Sequence, residues 1–214
     1  MLNIELWNIL IKGGGCERKV VFLMAVSGVE ETVGATEGRM YIYTGAGKGK
    51  TTAALGQVVK AATKGKKVLF IQSMKGQDTG ELNAISRMGL SIEVQRFGRS
   101  VFLQKSRASS TSGACEPLDI LLAYRGLQTV ERAMLSGAFD LIALDEINVA
   151  IDFGLLKIEK VLEVLKKKPP GLELILTGRN APAELIEMAD FVIEMREVKH
   201  HYRRGDRMRR GIEF

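Results

Sequence analysis

The 214-residue sequence predicts an α/β fold with a mainly parallel sheet and helices on both faces. Two observations lead to this prediction. Short apolar runs rich in β-branched and aromatic residues alternate with segments whose apolar residues recur three and four positions apart. A glycine-rich stretch also joins the first clear strand, at 40–43, to the first helix. Because parallel strands are joined by right-handed crossovers, the helices should cover both faces of the sheet.

The remaining elements follow in order along the chain. Strands are predicted at 40–43, 67–72, 91–97, 140–146, 173–177 and 191–195. Helices are predicted after residue 52 and at 80–88, 118–136, 155–168 and 181–188. Residues 98–117 are rich in Ser, Gly, Arg and Lys and read as a long loop, which in a compact domain is commonly functional or mobile. Ligands of such sheets bind at the carboxyl ends of the strands, so the segments that follow each strand are the place to look for a site.

Composition narrows the class of protein. The net charge is +6, but seven basic and three acidic residues between 196 and 214 account for four of those charges, so any basic patch is a feature of the terminal segment. No apolar run approaches the roughly 18 residues that span a bilayer, so no membrane association is expected. Cys16 and Cys115 are far apart and outside any CxxC pattern. They predict reduced thiols and a cytoplasmic location.

The chain is expected to hold one domain, residues 40–214, preceded by an extension, residues 1–39. Within the extension an apolar run, 20–26, follows a charged stretch, 17–19, as in a signal peptide. The run is short and has no small-x-small cleavage site, so export is not expected. A flexible extension, a cover for the active site and an over-called start of the reading frame are the three alternatives for this segment.

The first candidate site is the glycine-rich stretch TGAGKGKTT, residues 44–52. Successive glycines let the backbone curl with its N–H groups pointing inward, and the following helix adds its positive end, which makes a cradle for phosphate oxygens. Lys50 can reach the outer phosphates, and the Thr51 hydroxyl can bind Mg²⁺. The pattern matches a P-loop at Gly49, Lys50 and Thr51, and it departs from it at Thr44, where a P-loop has glycine. A RecA-like P-loop domain is therefore predicted.

The second candidate is the acidic pair Asp145 and Glu146, which ends an apolar strand. A hard cation that bridges phosphates needs carboxylate oxygens opposite the threonine. The alternative is an acidic pair that caps the next helix. With the glycine loop present, the pair predicts binding of a magnesium nucleotide. The residues alone leave three reactions open: hydrolysis with Glu146 as the base for water, phosphate transfer, and a rarer chemistry.

Several motifs together resemble the ATP:corrinoid adenosyltransferases, the cob(I)alamin adenosyltransferase family that carries a P-loop. Their order and spacing in residues 40–214 are those of the family: TGAGKGKTTAALG (44–56), IQSMKG (71–76), LIALDEI (141–147), LTGRNAP (176–182), VKHH (198–201) and GIEF (211–214). The resemblance implies transfer of the 5′-deoxyadenosyl group of ATP to Co(I) of a reduced corrinoid, with release of triphosphate, in adenosylcobalamin biosynthesis or salvage. Because Co(I) is itself a powerful nucleophile, the protein has to align the reactants and stabilise the leaving triphosphate.

The resemblance also assigns residues to roles. It implies that the following residues bind ATP: Gly45, Ala46, Gly47, Lys48, Gly49, Lys50, Thr51, Thr52 and Arg179. Lys50, Thr51 and Glu146 are the catalytic candidates; Thr51 and Glu146 would bind Mg²⁺, and Asp145 would contact these ligands without contacting the ion. The Arg179 fork would clamp phosphate oxygens, and a surface salt bridge is the alternative for it.

Weaker candidates and departures complete the comparison with the family. Lys75 and Glu81 are weaker candidates for the rim of the pocket. Ser73 stands where relatives carry phenylalanine. Just after the strand that ends near residue 97, relatives carry a Phe/Trp cluster that helps to expel the lower ligand of the corrinoid. That region of this chain offers Phe97, Val101 and Phe102 and contains no tryptophan.

The expected partners are ATP, a corrinoid, a second copy of the chain in a homodimer, and a flavoprotein reductant. Nucleic acid is not expected, although the rival hypothesis is a RecA-like ATPase that binds nucleic acid through the basic segment 196–214. A small-molecule kinase is the third hypothesis. His200 and His201 would face opposite ways on a strand, so we expect them to be solvated rather than to bind a metal.

Overall fold

The computed structural model describes residues 37–74, 76, 80–99 and 115–198, together with the backbone of two strands nearer the N-terminus. The chain forms two compact units, residues 1–36 and residues 37–214. In the first unit, β1 (Glu5–Ile11) pairs antiparallel with β2 (Arg18–Met24). The sequence analysis predicts no strand in this unit. Most of the apolar run that resembles the core of a signal peptide forms β2, so here the run is one strand of a hairpin.

The second unit is built on a six-stranded sheet with strand order β5-β4-β6-β7-β3-β8. Its strands are β3 (Met40–Thr44), β4 (Val68–Ser73), β5 (Ile92–Phe97), β6 (Leu141–Asp145), β7 (Glu173–Thr177) and β8 (Phe191–Glu194). Every neighbouring pair in this sheet is parallel. The predicted α/β fold class is therefore confirmed, and all six predicted strands are present.

Six helices accompany the sheet in the described part of the chain. They are α1 (Lys50–Ala62), α2 (Gly80–Arg87), α3 (Pro117–Ser136), α4 (Ile147–Asp152), α5 (Ile158–Leu165) and α6 (Ala183–Met188). The sequence analysis misses α4, because six residues are too few to show a helical period. It also begins α5 three residues early, since Leu155 and Leu156 are buried in the turn before the helix.

The buried side chains form two clusters that lie on opposite faces of the sheet. In β7, Leu174 and Leu176 belong to one cluster and Ile175 to the other, as the alternation of side chains along a strand requires. The first cluster includes apolar residues of α3, α4, α5 and α6, and the second includes those of α1 and α2. The prediction of helices on both faces is thus correct.

None of the described helices combines the length and the apolar character needed to cross a membrane.

Backbone strain is concentrated at the carboxyl edge of the sheet. Within the described residues, Met74, Glu146 and Asn180 are the non-glycine residues with positive φ, at 60°, 62° and 54°. Each lies in the segment that follows a strand: β4, β6 and β7 respectively. Residues held in this sparsely populated conformation commonly cluster at functional sites, so the strain points to the same edge as the sequence motifs.

Candidate functional site

The glycine loop leaves the end of β3 and enters α1 as predicted. Gly45 and Gly49 have φ of 94° and 98°, a conformation that disfavours any side chain. A Cβ on Gly45 would clash with the carbonyl oxygen of Met195, and a Cβ on Gly47 would lie 2.8 Å from the same oxygen. The glycines are therefore required by the conformation of the loop and by the backbone packed against it.

The backbone that supports the loop continues from β8. The Met195 N–H donates to the Thr44 carbonyl at 2.8 Å, and the Gly47 N–H donates to the Met195 carbonyl at 2.7 Å. The Gly47 N–H is thus used within the protein. Because the first turn of a helix has N–H groups with no acceptor inside the helix, the start of α1 supplies further donors to this site.

Lys50 lies inside the loop rather than in solvent. Its side chain is buried, and its Nζ donates to the Gly45 carbonyl at 2.8 Å and to the Gly47 carbonyl at 2.6 Å. A positive charge is therefore held at the centre of the curled backbone. Ala46 and Lys48 are exposed.

Asp145 is the centre of a buried hydrogen-bond network at the end of β6. Its Oδ1 accepts from the hydroxyl of Thr51 at 2.8 Å and from that of Thr177 at 2.6 Å. Its Oδ2 accepts from Nε2 of Gln72 at 3.0 Å. Asp145 is fully buried, so these donors satisfy a carboxylate that would otherwise be costly to bury.

Gln72 and Thr177 lie within the motifs 71–76 and 176–182, but the sequence analysis assigns neither of them a role. Both are buried, and each is at or next to the last residue of a strand that adjoins β6. A signal was available, because each is a polar residue at the end of an otherwise apolar strand. Their contact with Asp145 depends on the strand order, which the sequence analysis does not predict.

Glu146 follows Asp145 and turns the chain into α4. It is half-buried, has φ of 62°, and donates its N–H to the Thr177 hydroxyl at 3.0 Å. Glu146 occupies the N-cap position of α4, but its side chain makes no capping hydrogen bond. The capping alternative therefore accounts for the position of Glu146 at the start of α4. It does not account for the carboxylate, which is not the capping group.

The oxygen atoms near the start of α1 suit a hard cation. The Thr51 hydroxyl donates a hydrogen bond to Asp145, which leaves the oxygen lone pairs for a cation, and Glu146 follows Asp145 directly in the chain. Oxygen ligands of this kind are those that Mg²⁺ prefers. The described residues contain no cluster of three or more His, Cys, Asp or Glu that would hold a metal by protein ligands alone.

Arg179 lies at the same edge but apart from this network. It follows Gly178, whose carbonyl accepts from Nδ2 of buried Asn148 at 3.2 Å. The guanidinium is exposed, and it has no ion pair within the described residues. The surface salt bridge considered as an alternative for Arg179 is thus not found in this part of the chain.

Some of the weaker candidates lie within the described residues, and others lie outside them. Glu81 is exposed in the first turn of α2, and Ser73 is buried at the end of β4. Phe97 is half-buried at the end of β5. Lys75, Val101, Phe102, His200 and His201 lie outside the described residues.

A glycine loop between the first strand and first helix of a parallel sheet, with a buried aspartate on the adjoining threonine, defines a P-loop nucleotide-binding protein. Residues 36–214 match the family described as ATP:corrinoid adenosyltransferase BtuR/CobO/CobP. The chain therefore belongs to the ATP:corrinoid adenosyltransferase family. The resemblance found from the motifs is confirmed, and with it the assignment to a class of transferase.

Individual relatives agree with this assignment. The corrinoid adenosyltransferase of Escherichia coli is 33% identical over 178 residues, which cover 83% of this chain and 86% of the relative. Corrinoid adenosyltransferase CobA of Salmonella typhimurium is 31% identical over 178 residues, with the same coverage. An uncharacterized protein of Nostoc sp. is 34% identical over 190 residues, and the chain spans 48% of its length.

Proposed function

We propose that this protein transfers the 5′-deoxyadenosyl group of ATP to Co(I) of a reduced corrinoid, with triphosphate as the other product, in adenosylcobalamin biosynthesis or salvage. One observation carries the proposal beyond family membership. Lys50 lies within the glycine loop while the neighbouring Thr51 hydroxyl contacts buried Asp145, so a cation and a metal-binding hydroxyl adjoin one cradle.

The bond changes explain why such a site is sufficient. The electron pair of Co(I) forms the new bond to C5′ as cobalt becomes formally Co(III), and the C5′–O bond breaks with its electron pair leaving on triphosphate. No proton is transferred in this step, so no general base is required. The protein has to hold the reacting atoms in line and stabilise the charge that grows on the leaving group.

Each residue of the loop then has a defined task. The amides of residues 48–52 and the Lys50 ammonium would bind the triphosphate oxygens, with Lys50 exchanging its loop carbonyls for phosphate. Thr51 and Glu146 would hold Mg²⁺, and Asp145 would orient the Thr51 hydroxyl from behind. When bound, Mg²⁺ supplies positive charge to the phosphate oxygens. The exposed Arg179 fork would close on the same anion.

The proposal extends to the surroundings of the protein. Co(I) has to be generated by a reductant, for which we propose a flavoprotein. We also propose a cytoplasmic location, because ATP and reduced cobalt are both available there.

A homodimer is also proposed. Edge strand β8 supports it, since Phe191, Val192 and Ile193 are 41%, 39% and 38% exposed. Residues 40–214 would carry the activity, with residues 1–39 as an extension.

The test is an adenosylation assay with the purified full-length chain. Incubation with MgATP and chemically reduced cobalamin should produce the light-sensitive spectrum of an alkylcobalt product, together with triphosphate. Formation of orthophosphate or pyrophosphate without alkylation would contradict the proposal. A parallel reaction with added DNA or RNA tests the rival ATPase, which predicts phosphate release that nucleic acid stimulates.

A further inference from the structure

A second cluster of charged side chains lies at the carboxyl edge, away from the glycine loop. The Arg99 guanidinium forks over Asp119, with Nε 2.7 Å from Oδ1 and Nη2 2.6 Å from Oδ2. Its Nη1 is 2.9 Å from Oε1 of Glu116. The side chain of Arg99 is 18% exposed and that of Asp119 only 2%. Two parallel hydrogen bonds between planar groups fix the orientation of both partners.

This cluster joins three segments that are separate in sequence. Arg99 follows β5, and Asp119 is in the first turn of α3, where it also accepts from the N–H of Glu116 at 2.8 Å. The Arg99 carbonyl accepts from the N–H of Gly76, in the segment after β4, at 3.1 Å. A Cβ on Gly76 would lie 2.6 Å from the Gly98 carbonyl oxygen, so the two segments are in direct backbone contact.

A second contact holds α3 further along its length. A Cβ on Gly126 would lie 3.2 Å from Cγ of Phe97, so the backbone of α3 rests on the aromatic ring at the end of β5. With the ion pair at its first turn, α3 is held at two points. Because desolvation offsets much of the attraction in a partly buried ion pair, the pair contributes more to geometry than to net stability.

The strand order gives the position of the Arg99 cluster along the carboxyl edge relative to the glycine loop and the acidic pair. The glycine loop follows β3, and on its β8 side the Met195 backbone already contacts Gly45 and Gly47. The acidic pair follows β6, on the other side of β7. With the triphosphate on the loop, the described segments on the far side of the acidic pair are those that follow β4 and β5. A corrinoid that approaches C5′ from this side would lie against these segments, where the Arg99 cluster lies.

We propose that Arg99 is a positioning residue for the corrinoid: by fixing α3 and the ends of β4 and β5 to one another, it sets the wall along which the corrinoid approaches C5′. This inference rests on the proposed function. It assigns Arg99 no contact with ATP or with the reacting atoms. Loss of the fork should therefore affect the corrinoid and leave ATP binding as it is.

The experiment compares full-length variants in steady-state adenosylation, with binding of MgATP measured separately by calorimetry. Arg99→Lys keeps the charge and removes the fork, and Arg99→Met removes both. We expect kcat/KM for cob(I)alamin to fall roughly ten- to hundredfold in both variants, as for a displaced reactant, while the Kd for MgATP stays within about twofold of wild type. Arg99→Asp combined with Asp119→Arg should recover part of the loss by restoring an ion pair.

The matched control is Lys167→Met, which removes a 2.6 Å ion pair to Glu131 further along the same helix. It should leave kcat/KM for cob(I)alamin unchanged. Unchanged corrinoid kinetics in Arg99→Lys and Arg99→Met, or an equal loss for ATP and corrinoid, would overturn the positioning role. Absence of any alkylcobalt product with the wild-type chain would instead overturn the proposed function, and this inference with it.

Discussion

The hydroxyl of Thr51, in the first turn of α1, lies 2.8 Å from Oδ1 of Asp145 at the end of β6. The two residues are 94 positions apart in sequence, and their contact joins the glycine loop to the acidic pair. Because the hydroxyl donates its hydrogen bond to the carboxylate, the threonine oxygen can turn its lone pairs toward a cation. The contact therefore joins the two motifs that the sequence analysis relates to each other through one Mg²⁺ ion.

Thr51→Val should weaken the dependence of ATP binding on Mg²⁺. Valine keeps the shape of the side chain and removes the oxygen, so we expect the apparent affinity for Mg²⁺ to fall by about 10–100-fold. A Mg²⁺ titration of ATP binding by calorimetry measures this, with Thr51→Ser as the control that keeps the hydroxyl. Wild-type Mg²⁺ dependence in the valine variant would show that the hydroxyl is not a ligand.

Lys50→Ala should abolish turnover. The variant removes the cation that the loop holds against its own carbonyls, and with it a donor to the growing charge on triphosphate. The loss in kcat should be at least about hundredfold, as for other preorganised donors. Lys60→Ala, an exposed lysine in the last turn of the same helix, is the control and should have wild-type kcat. Equal rates in the two variants would mean that the loop is misinterpreted.

Gly47→Ala and Gly56→Ala should have opposite effects on stability. A Cβ on Gly47 would lie 2.8 Å from the Met195 carbonyl oxygen and 2.9 Å from backbone carbon of Arg196, so the loop has to shift, at a cost of about 1–3 kcal/mol. Gly56 is exposed within α1, and a Cβ there meets nothing within 4 Å. Alanine at 56 should therefore stabilise the protein by roughly 0.5–1 kcal/mol.

Thermal unfolding checks this pair of glycine variants. At this chain length, each kcal/mol shifts Tm by about 2–4 °C. Gly47→Ala should also bind MgATP more weakly, whereas Gly56→Ala should bind it as the wild type does. A Gly47→Ala protein with unchanged Tm and unchanged ATP affinity would show that the loop is not held against Met195.

At acid pH the protein should lose the contribution of Asp119 to its free energy of unfolding. Burial by itself raises the pKa of Asp119, but hydrogen bonds from the Arg99 guanidinium and from the N–H of Glu116 outweigh it and hold the pKa below its ordinary value of 3.8. The unfolded chain therefore takes up the proton first as the pH falls. The contribution is complete above pH 3.8 and is lost as the pH falls through the pKa of the folded state.

Urea unfolding across this pH range checks the contribution of Asp119. The difference in free energy of unfolding between wild type and Asp119→Asn should be largest at neutral pH and should shrink under acid. A difference that stays constant from neutral pH to below pH 3.8 would be inconsistent with a carboxylate ionised in the folded protein.

Arg179→Met should raise the KM for ATP. Loss of a charge-assisted fork to phosphate costs about 1.5–3 kcal/mol, which corresponds to roughly ten- to hundredfold. Arg132→Met, an exposed arginine on α3, is the control. Unchanged KM for ATP in Arg179→Met would exclude Arg179 from the nucleotide site.

Local patterns in the sequence determined the elements and the motifs. The predicted bounds of β7 agree with the observed strand, because an apolar run bounded by turn residues carries its own signal. The glycine loop is likewise readable, since the φ of 98° at Gly49 demands a residue without a side chain. The sequence analysis misses the hairpin of β1 and β2 because it compares the apolar run 20–26 with a signal peptide, and it misses α4 because six residues show no helical period.

Tertiary structure alone decided which residues meet. Gln72 and Thr177 contact Asp145 because β4 and β7 flank β6, an order that follows from the packing of the whole sheet. Met195 supports the glycine loop because β8 lies beside β3, although some 150 residues separate them in sequence. Hydrogen bonds between strand ends depend on neighbours in space, and sequence patterns report only neighbours along the chain.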